Sequence, residues 1–594
     1  MQHNLKKVLI GILILLILNA SLGAGAPSSS GAEAKAGIGN ETPKVQGPEF
    51  QSKGEISEGI LAYMQAVYLG AALRPPDEAT LSKAASAYLL QLEKTKGSVL
   101  KIATPNTVKS ASLFGDYSLG IFAHLSNPPL MKMDANGKLV GQLVDCYEVS
   151  ENNTRWTFYL KDELYWSDGK KVSPKDAEFT IRYYGKKTPS ARWINDTLKS
   201  SSFSEAENSV TFKFNKPYTR INLEFATYNL LPAHIWEKIE EPQKYIHEGS
   251  YVGCGPYFLK RIELKAGKLV FERNPYWRGP MPAFECVEIH FYSNLDVATL
   301  ALENGEVDTY YKYASSYPYP NIEQLKKTEK FDFLEKTNVG LIFLGFNLKK
   351  APLSDRAFRE ALSYALNYEE LVALETLGYG EVANRGFVPP SMEYYKETEK
   401  LKYNPAKARE LMKKAGYEDR NENGILENKE GDDLRLTLLV RQDSARTAEL
   451  LSEYLEEIGL EIEVKNVDQD TWFTLKDDYK YDLTVTRSTP WGMLMHASWG
   501  SGYFDSRRSG KGVLHTLEDP AFLQLCDELL ATTDSAELEK SAHALQAYYA
   551  ENLPAIPLYW NRVVTPFNRD FEGWAADPLY GIYNLETFVE VRKK

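Results

Sequence analysis

Apolar and polar positions follow three different rhythms along this chain. Residues 8–18 (VLIGILILLIL) are an unbroken apolar run, behind a basic start, MQHNLKK, and ahead of a small-residue stretch, NASLGAGA. That order is the layout of a secretory signal, with Ala24 and Ala26 forming an A-x-A cleavage site. Pro27 next to the cut is awkward for a signal peptidase, so a retained anchor is the alternative. Residues 8–26 would make a helix of about 28 Å, just enough to span a bilayer. No cysteine follows the apolar run, which excludes a lipid anchor there. Residues 1–26 are thus a signal peptide or N-terminal anchor, and the remainder is expected outside the cytoplasm, secreted or held at the membrane.

Residues 27–54, rich in Ser, Gly, Ala and Pro, read as a flexible tether. Residues 55–97 switch to a helical period. Ile60, Met64, Val67 and Ala71 share one face, and Arg74-Pro75-Pro76 breaks the segment into a hairpin of two helices. Packing on the main body is the expected role of this extension.

From Val99 the period shortens to two. Strands are expected at 99–105, 155–160, 209–214, 256–264, 268–273 and 286–292, with helices at 173–184 and 296–303. Further on, helices at 355–373, 405–415 and 445–458 alternate with strands at 434–440, 461–464 and 482–486. That alternation signals an α/β fold. No repeat of 20–50 residues is visible.

Composition narrows the function. Of 594 residues, 43% are apolar and 25% charged, which is ordinary for a globular protein with a sizeable core. Lys plus Arg is 69 against 81 Asp plus Glu, a net −12, so the clustered positive charge of a nucleic-acid binder is missing. The 37 Tyr and 10 Trp supply broad contact faces with polar tips, which suits recognition. Cys146, Cys254, Cys286 and Cys526 form no CxxC pair, which excludes a zinc knuckle or thioredoxin motif. A disulfide among them and four buried thiols both stay open. No G-x-S-x-G, H-E-x-x-H, P-loop or G-x-G-x-x-G occurs, and the eight histidines are scattered. An enzyme is not expected, and a secreted hydrolase is the weaker reading.

Seven blocks stand in a recognisable order. Trp156-Thr157-Phe158-Tyr159-Leu160 leads into Trp166-Ser167-Asp168-Gly169 and Ser173-Pro174-Lys175-Asp176-Ala177. Then come Val252-Gly253-Cys254-Gly255-Pro256-Tyr257, Phe271-Glu272-Arg273-Asn274-Pro275-Tyr276-Trp277, and Ala301-Leu302-Glu303-Asn304-Gly305-Glu306-Val307-Asp308. Phe346-Asn347 with Asp355, Arg359 and Ala361–Ala365 follows, then Tyr403-Asn404-Pro405 and Leu553-Pro554-Ala555-Ile556-Pro557. From Val99 to Trp574 the chain resembles extracytoplasmic solute-binding protein family 5, the substrate-binding proteins of peptide and nickel ABC transporters.

Most of these blocks read as scaffold. Trp156, Phe158 and Leu160 alternate onto a buried face, and Gly253 and Gly255 suit positive φ in a turn beside a strand. Asp355 and Arg359 flank a helix start, where Asp favours the dipole. The resemblance implies an α/β, two-lobed periplasmic-binding-protein fold. Its discontinuous first lobe would take 98–340 plus 561–594, and its second lobe 341–560. Hinge strands near 341–347 and 556–560 would cross between them, with a ligand cleft between the lobes. A monomer would close on its solute and dock on an ABC permease in the membrane.

For the ligand, the resemblance offers two readings, with sugars or other solutes behind them. Peptide binders hold the α-amine with an Asp after the strand 482–487, yet none occurs here between Asp482 and Asp505. Nickel binders carry an Arg-Thr-Trp-Gly…His pattern, and Arg487, Trp491-Gly492 and His496 look comparable. Such receptors take nickel partly as an anionic chelate, and Arg192 falls where they place an Arg. Met493 and Met495 would be soft donors. A peptide-like solute leads on family membership, with a nickel or other metal chelate as the alternative. The cleft is expected to use Arg192, Arg487, Trp491, His496 and Trp499, with Tyr117 a further candidate. A cell-surface sensor or chaperone on the same fold is a third reading.

A calcium loop is also written in the chain. Residues 419–430 fit D-x-[DN]-x-[DN]-G-x₅-E. Asp419, Asn421 and Asn423 would give side-chain oxygens, Ile425 its carbonyl, Glu427 a water-bridged contact and Glu430 the bidentate closure of a structural Ca²⁺. The alternative is a solvated Asn/Asp/Gly turn. A strand rather than a helix is expected to follow, so Glu430 would have to reach back.

Overall fold

The chain passes between its two large sheets along a single two-stranded ribbon. In a computed structural model, described for residues 95–594 except 135–137, 189–190, 218–220, 247–250, 337–340, 391, 489–518 and 533, the ribbon has four segments. They are β1 (Phe331–Lys336), β2 (Leu341–Phe346), β3 (Ala555–Asn561) and β4 (Val563–Asn568). β1 pairs antiparallel with β4, ending at Lys336 opposite Val563, and β2 pairs antiparallel with β3, starting at Leu341 opposite Trp560. The signal or anchor, the tether and all but the last residues of the 55–97 extension lie outside the described residues.

β1 and β4 end a seven-stranded sheet. Its order is β1, β4, Thr309–Tyr310, Val99–Thr104, Cys286–Phe291, Lys268–Arg273 and Tyr257–Glu263. β2 and β3 sit inside a six-stranded sheet, ordered Gly380–Val382, β3, β2, Leu483–Arg487, Arg435–Arg441 and Glu461–Val467. Each sheet has its own core. Phe358, Leu362, Leu438, Leu451 and Val485 fill one side of the second, while Leu100, Ile102, Phe271 and Val287 belong to the first. A separate four-stranded sheet, Val144–Ser150, Arg155–Leu160, Ser209–Phe214 and Leu198–Ser204, buries Trp156, Phe158 and Leu160 as their alternation predicts.

Several local expectations change. The helix expected over 355–373 is two helices, Arg356–Ala365 and Tyr368–Thr376. Leu366 is extended, and Asn367 caps the second helix by accepting the Glu370 N–H. Gly253 and Gly255 do not have positive φ. They are glycine because a Cβ at Gly253 would lie 2.4 Å from the Ser126 carbonyl oxygen, and one at Gly255 2.2 Å from that of Leu125. All four cysteines are free thiols. Cys254 and Cys526 are buried, Cys286 is half-buried and Cys146 is exposed. Among the described residues no helix is long and apolar enough to cross a membrane.

Arg359 does more than flank a helix start. Asp355 caps that helix through Oδ1, which accepts the Ala357 N–H at 2.9 Å. Arg359 is buried and donates to four carbonyls: Leu353 at 2.8 Å, Ser354 at 2.9 Å, Asn552 at 2.8 Å and Leu553 at 2.9 Å. The last two close the C-terminus of the helix Ser535–Asn552, where a cation meets the negative end of the dipole. Arg359→Met keeps the bulk and strands these carbonyls. It should destabilise the protein by about 3 kcal/mol or more, read as a lower midpoint in thermal and urea unfolding. A midpoint within error of the wild type would remove Arg359 from this role.

Candidate functional site

The side chains that bring the two large sheets together stand at the carboxyl ends of parallel strands. Arg487 ends Leu483–Arg487 and Arg441 ends Arg435–Arg441, two parallel neighbours. Lys312, Tyr313 and Ser315 follow Thr309–Tyr310, which runs parallel to Val99–Thr104. In open α/β sheets this is where ligands bind.

Arg487 crosses the junction. Its Nη1 donates to Ser315 Oγ, and its Nη2 to the Tyr313 carbonyl at 3.4 Å. Lys312 faces Asp443 Oδ2 at 3.7 Å, and Arg441 Nε holds Asp443 Oδ1 at 3.3 Å. Partial desolvation would raise the Asp443 carboxyl, but Arg441, Lys312 and Arg487 outweigh it and bring the group to about 2. Desolvation, aided by Arg487, lowers the Lys312 ammonium to about 8 against the pull of Asp443. Three cations therefore converge on one carboxylate among the described residues. At the outer edge of the junction, Lys109 Nζ reaches Asp470 Oδ2 at 2.7 Å, with both side chains largely exposed.

Tyr117 belongs to this place. It opens the short helix Tyr117–Phe122, capped by Asp116, and its ring is 70% exposed. The ring meets Tyr313 edge-on at 6.3 Å, and Tyr313 in turn lies 5.8 Å from Tyr580. Arg192 stands on a different element. It is exposed at the N-cap of Trp193–Thr197, just ahead of the edge strand Leu198–Ser204 of the four-stranded sheet. Trp491, His496 and Trp499 lie outside the described residues. Lys312, Asp443 and Arg441 were missed in the sequence because they belong to no motif. Only their position just past strand ends would have found them.

The 419–430 loop forms a tight, hydrogen-bonded turn. Asp419 accepts the N–H groups of Asn423 at 3.1 Å and Gly424 at 2.9 Å, and Gly424 has φ +90°. Asn421 accepts from Asn423, and Asn423 from Ile425. Glu427 is buried, its carboxylate 3.4 Å from Arg420. Glu430 is exposed in the following turn, its N–H bonded to Asn428. The carboxylate that meets the side-chain amides of Asn421 and Asn423 is Asp433, at 3.4 and 3.1 Å. Among the described residues no group of three or more His, Cys, Asp or Glu is placed to hold a metal.

Two α/β lobes joined by a paired ribbon, with charged and aromatic side chains gathered where they meet, define a two-lobed solute-binding protein. The model for bacterial extracellular solute-binding proteins, family 5 Middle, matches residues 138–510, and the chain belongs to that family. It is similar to the nickel-binding periplasmic protein of Escherichia coli K12, 24% identical over 392 residues, covering 63% of this chain and 70% of that one. It is similar also to the oligopeptide-binding protein AppA of Bacillus subtilis, 24% identical over 493 residues, covering 77% and 84%. Among solved structures, a periplasmic oligopeptide-binding protein of an ABC transporter from Thermotoga maritima superposes with a TM-score of 0.74. That match is 22% identical and covers 84% of this chain and 99% of the other.

The junction itself yields a prediction. The exposed Lys109–Asp470 pair is screened by salt and is worth about 0–1 kcal/mol. Lys109→Ala should therefore shift the open–closed balance, followed by small-angle scattering, no more than raising the salt to 0.5 M does. A larger shift would show that the pair governs closure.

Proposed function

We propose that this protein captures a peptide-like solute outside the cytoplasm by closing its lobes, and delivers it to an ABC permease. The observation that carries the reading is the junction itself: Arg487 and Asp443 from one lobe meet Lys312, Tyr313 and Tyr117 from the other. A peptide ends in a carboxylate and an ammonium, which suit the cations and Asp443 respectively. Tyrosine faces suit the chain between, without demanding a particular sequence. Asp443 also offers a second-lobe carboxylate where none stands between Asp482 and Asp505. The relative named for oligopeptide binding supports this choice.

A nickel or other metal chelate is the second reading. It is favoured by the relative named for nickel and by the Arg487…Trp491…His496 pattern. In either case the protein acts as a monomer, secreted or held by its N-terminal segment, and returns its solute chemically unchanged.

Trialanine and nickel–histidine, added separately to purified protein, separate the two readings by calorimetry and native mass spectrometry. Trialanine should bind, come back uncut and reduce the radius of gyration in scattering. Arg487→Ala, with its fold intact, should lose at least about tenfold in affinity, or about 1.4 kcal/mol. Binding of the nickel complex alone would replace the peptide reading. Wild-type affinity in Arg487→Ala, or an unchanged radius at saturation, would overturn the closure mechanism.

Calcium at the 419–430 loop is a separate proposal, supported by the twelve-position match and by the sharp bend at Gly424. The arrangement favours Asp433 over Glu430 as the closing carboxylate. Millimolar Ca²⁺ should raise the wild-type melting midpoint relative to EGTA. The rise should vanish in Asp419→Ala and Asp433→Ala and persist in Glu430→Gln. No rise in the wild type would remove the ion from the account.

A further inference from the structure

A second recess lies in the first lobe, behind Tyr580 as seen from the lobe junction. Leu125, Pro129, Met131, Met133 and Phe588 make most of its wall apolar, and Asp577 opens into it. Asp577 is only 5% exposed. Its Oδ1 accepts the N–H groups of Leu579 at 2.8 Å and Tyr580 at 2.6 Å, which fixes the turn between Asp577 and Gly581. Its Oδ2 is bonded to no described residue.

The charges around Asp577 do not cancel it. Lys132 and Glu586, at the recess, are hydrogen-bonded to each other and neutralise one another. Burial holds His124 down to about 3, so it is neutral. The phenols of Tyr311, Tyr580 and Tyr583 are pushed well above their usual range by burial and stay protonated. The recess is left with one negative charge, on a carboxylate set among mostly apolar lining residues. A buried charge without a partner is costly, and burial accordingly pushes the Asp577 carboxyl up to about 7.

We propose that this recess is a binding site for a small primary alkylammonium group, its N–H donated to Asp577 Oδ2 and its carbons laid on the apolar wall. Size sets the length of the occupant. The recess offers about 40 Å³ to water-sized occupants, where one water needs about 10–15 Å³. That is room for a nitrogen and two or three carbons. A bare metal ion fits poorly, because hard cations demand several oxygen ligands. Asn584, the neighbouring amide, spends its groups on Thr587, Ala575 and Gly581. The Tyr580 ring, against which His124 packs edge-on at 4.6 Å, adds an aromatic face beside the cation.

The test uses the full chain at pH 8, with ethylammonium chloride as the probe and ethanol and sodium chloride as controls. Ethylammonium should raise the melting midpoint saturably, by about 2 °C at a tenfold excess over its dissociation constant. Ethanol and sodium chloride should not. Asp577→Asn keeps the turn-capping oxygen and removes the charge, and it should abolish the rise. Met133→Phe, which adds bulk to the lining of the recess, should abolish it independently if Asp577→Asn folds poorly. An equal rise with sodium chloride, a full rise in either variant, or no saturable rise up to 50 mM would overturn the proposal.

Discussion

Among the described residues, the two lobes are joined through one paired ribbon. β1 and β4 are hydrogen-bonded to each other in one lobe, and β2 and β3 in the other. Between the pairs, Arg562 alone joins β3 to β4. Arg562 is held from both sides. Its guanidinium reaches Glu335 of β1 at 3.0 Å and Glu381 of the six-stranded sheet at 3.4 Å. Its N–H donates to the Tyr379 carbonyl at 2.8 Å, and its own carbonyl accepts the Tyr319 hydroxyl at 2.6 Å. Tyr319 and Tyr379, one from each lobe, stack at 5.4 Å and 9°. Contacts so near a pivot travel little when the lobes rotate. Exposed contacts from lobe to lobe outside the ribbon, such as Lys109–Asp470, have to give way when the lobes part. The ribbon thus fixes the axis, while an exposed pair such as Lys109–Asp470 adds little to the balance between open and closed.

The same ribbon explains why the charged groups of the junction gather where they do. Strands that run parallel end on the same side of their sheet, and the two sheets present those ends to each other across the ribbon. Arg441, Arg487 and the Lys312–Ser315 segment sit at such ends. A remote exposed pair is weak, so closure depends on what the solute adds between the lobes. A solute shifts the equilibrium only by its differential affinity for the closed form. Under the proposed function the charges at the junction would supply that difference, because a group held between Arg487 and Lys312 would be bound by both lobes only when they are closed.

Much of this architecture was legible in the sequence. Period-two patterns located Arg155–Leu160, Ser209–Phe214 and Lys268–Arg273 at their observed limits. Leu198–Ser204 was missed because serines occupy four of its seven positions, which an edge strand tolerates and a pattern search does not see. The split helix was hidden because Leu366 continues the apolar rhythm, while the break comes from the Asn367 side chain capping a new start. Gly253 and Gly255 were noticed for the wrong reason: their need is close backbone approach, a three-dimensional fact that spacing cannot carry. The site was less legible than the fold. Arg487 and Tyr117 both reach the Tyr313 segment at the junction, Arg192 caps the helix Trp193–Thr197, and Trp491, His496 and Trp499 fall outside the described residues. Lys312 and Asp443 belong to distant segments, and only the sheet topology makes them neighbours.

Asp443 and Asp577 show how differently one fold treats two carboxylates. Asp443, 38% exposed, has Arg441, Lys312 and Arg487 around it. Its charge is favoured in the folded state above the ordinary carboxylate range, and that contribution is lost as pH falls through about 4 toward 2. Asp577 has two backbone N–H groups and no cation bonded to it. The folded form binds its proton more tightly than the unfolded chain does, so stability falls as pH rises from about 4 to 7 and is level above. A neutral Asn would cap the same turn without that penalty. Capping alone therefore does not account for a carboxylate at this position. What the charge adds is attraction for a cation, at a carboxylate that lines the recess. The turn it holds carries Tyr580, whose ring lies against Tyr313 at the lobe junction. A recess that binds a small cation behind that ring would stiffen one wall of the junction without touching the solute.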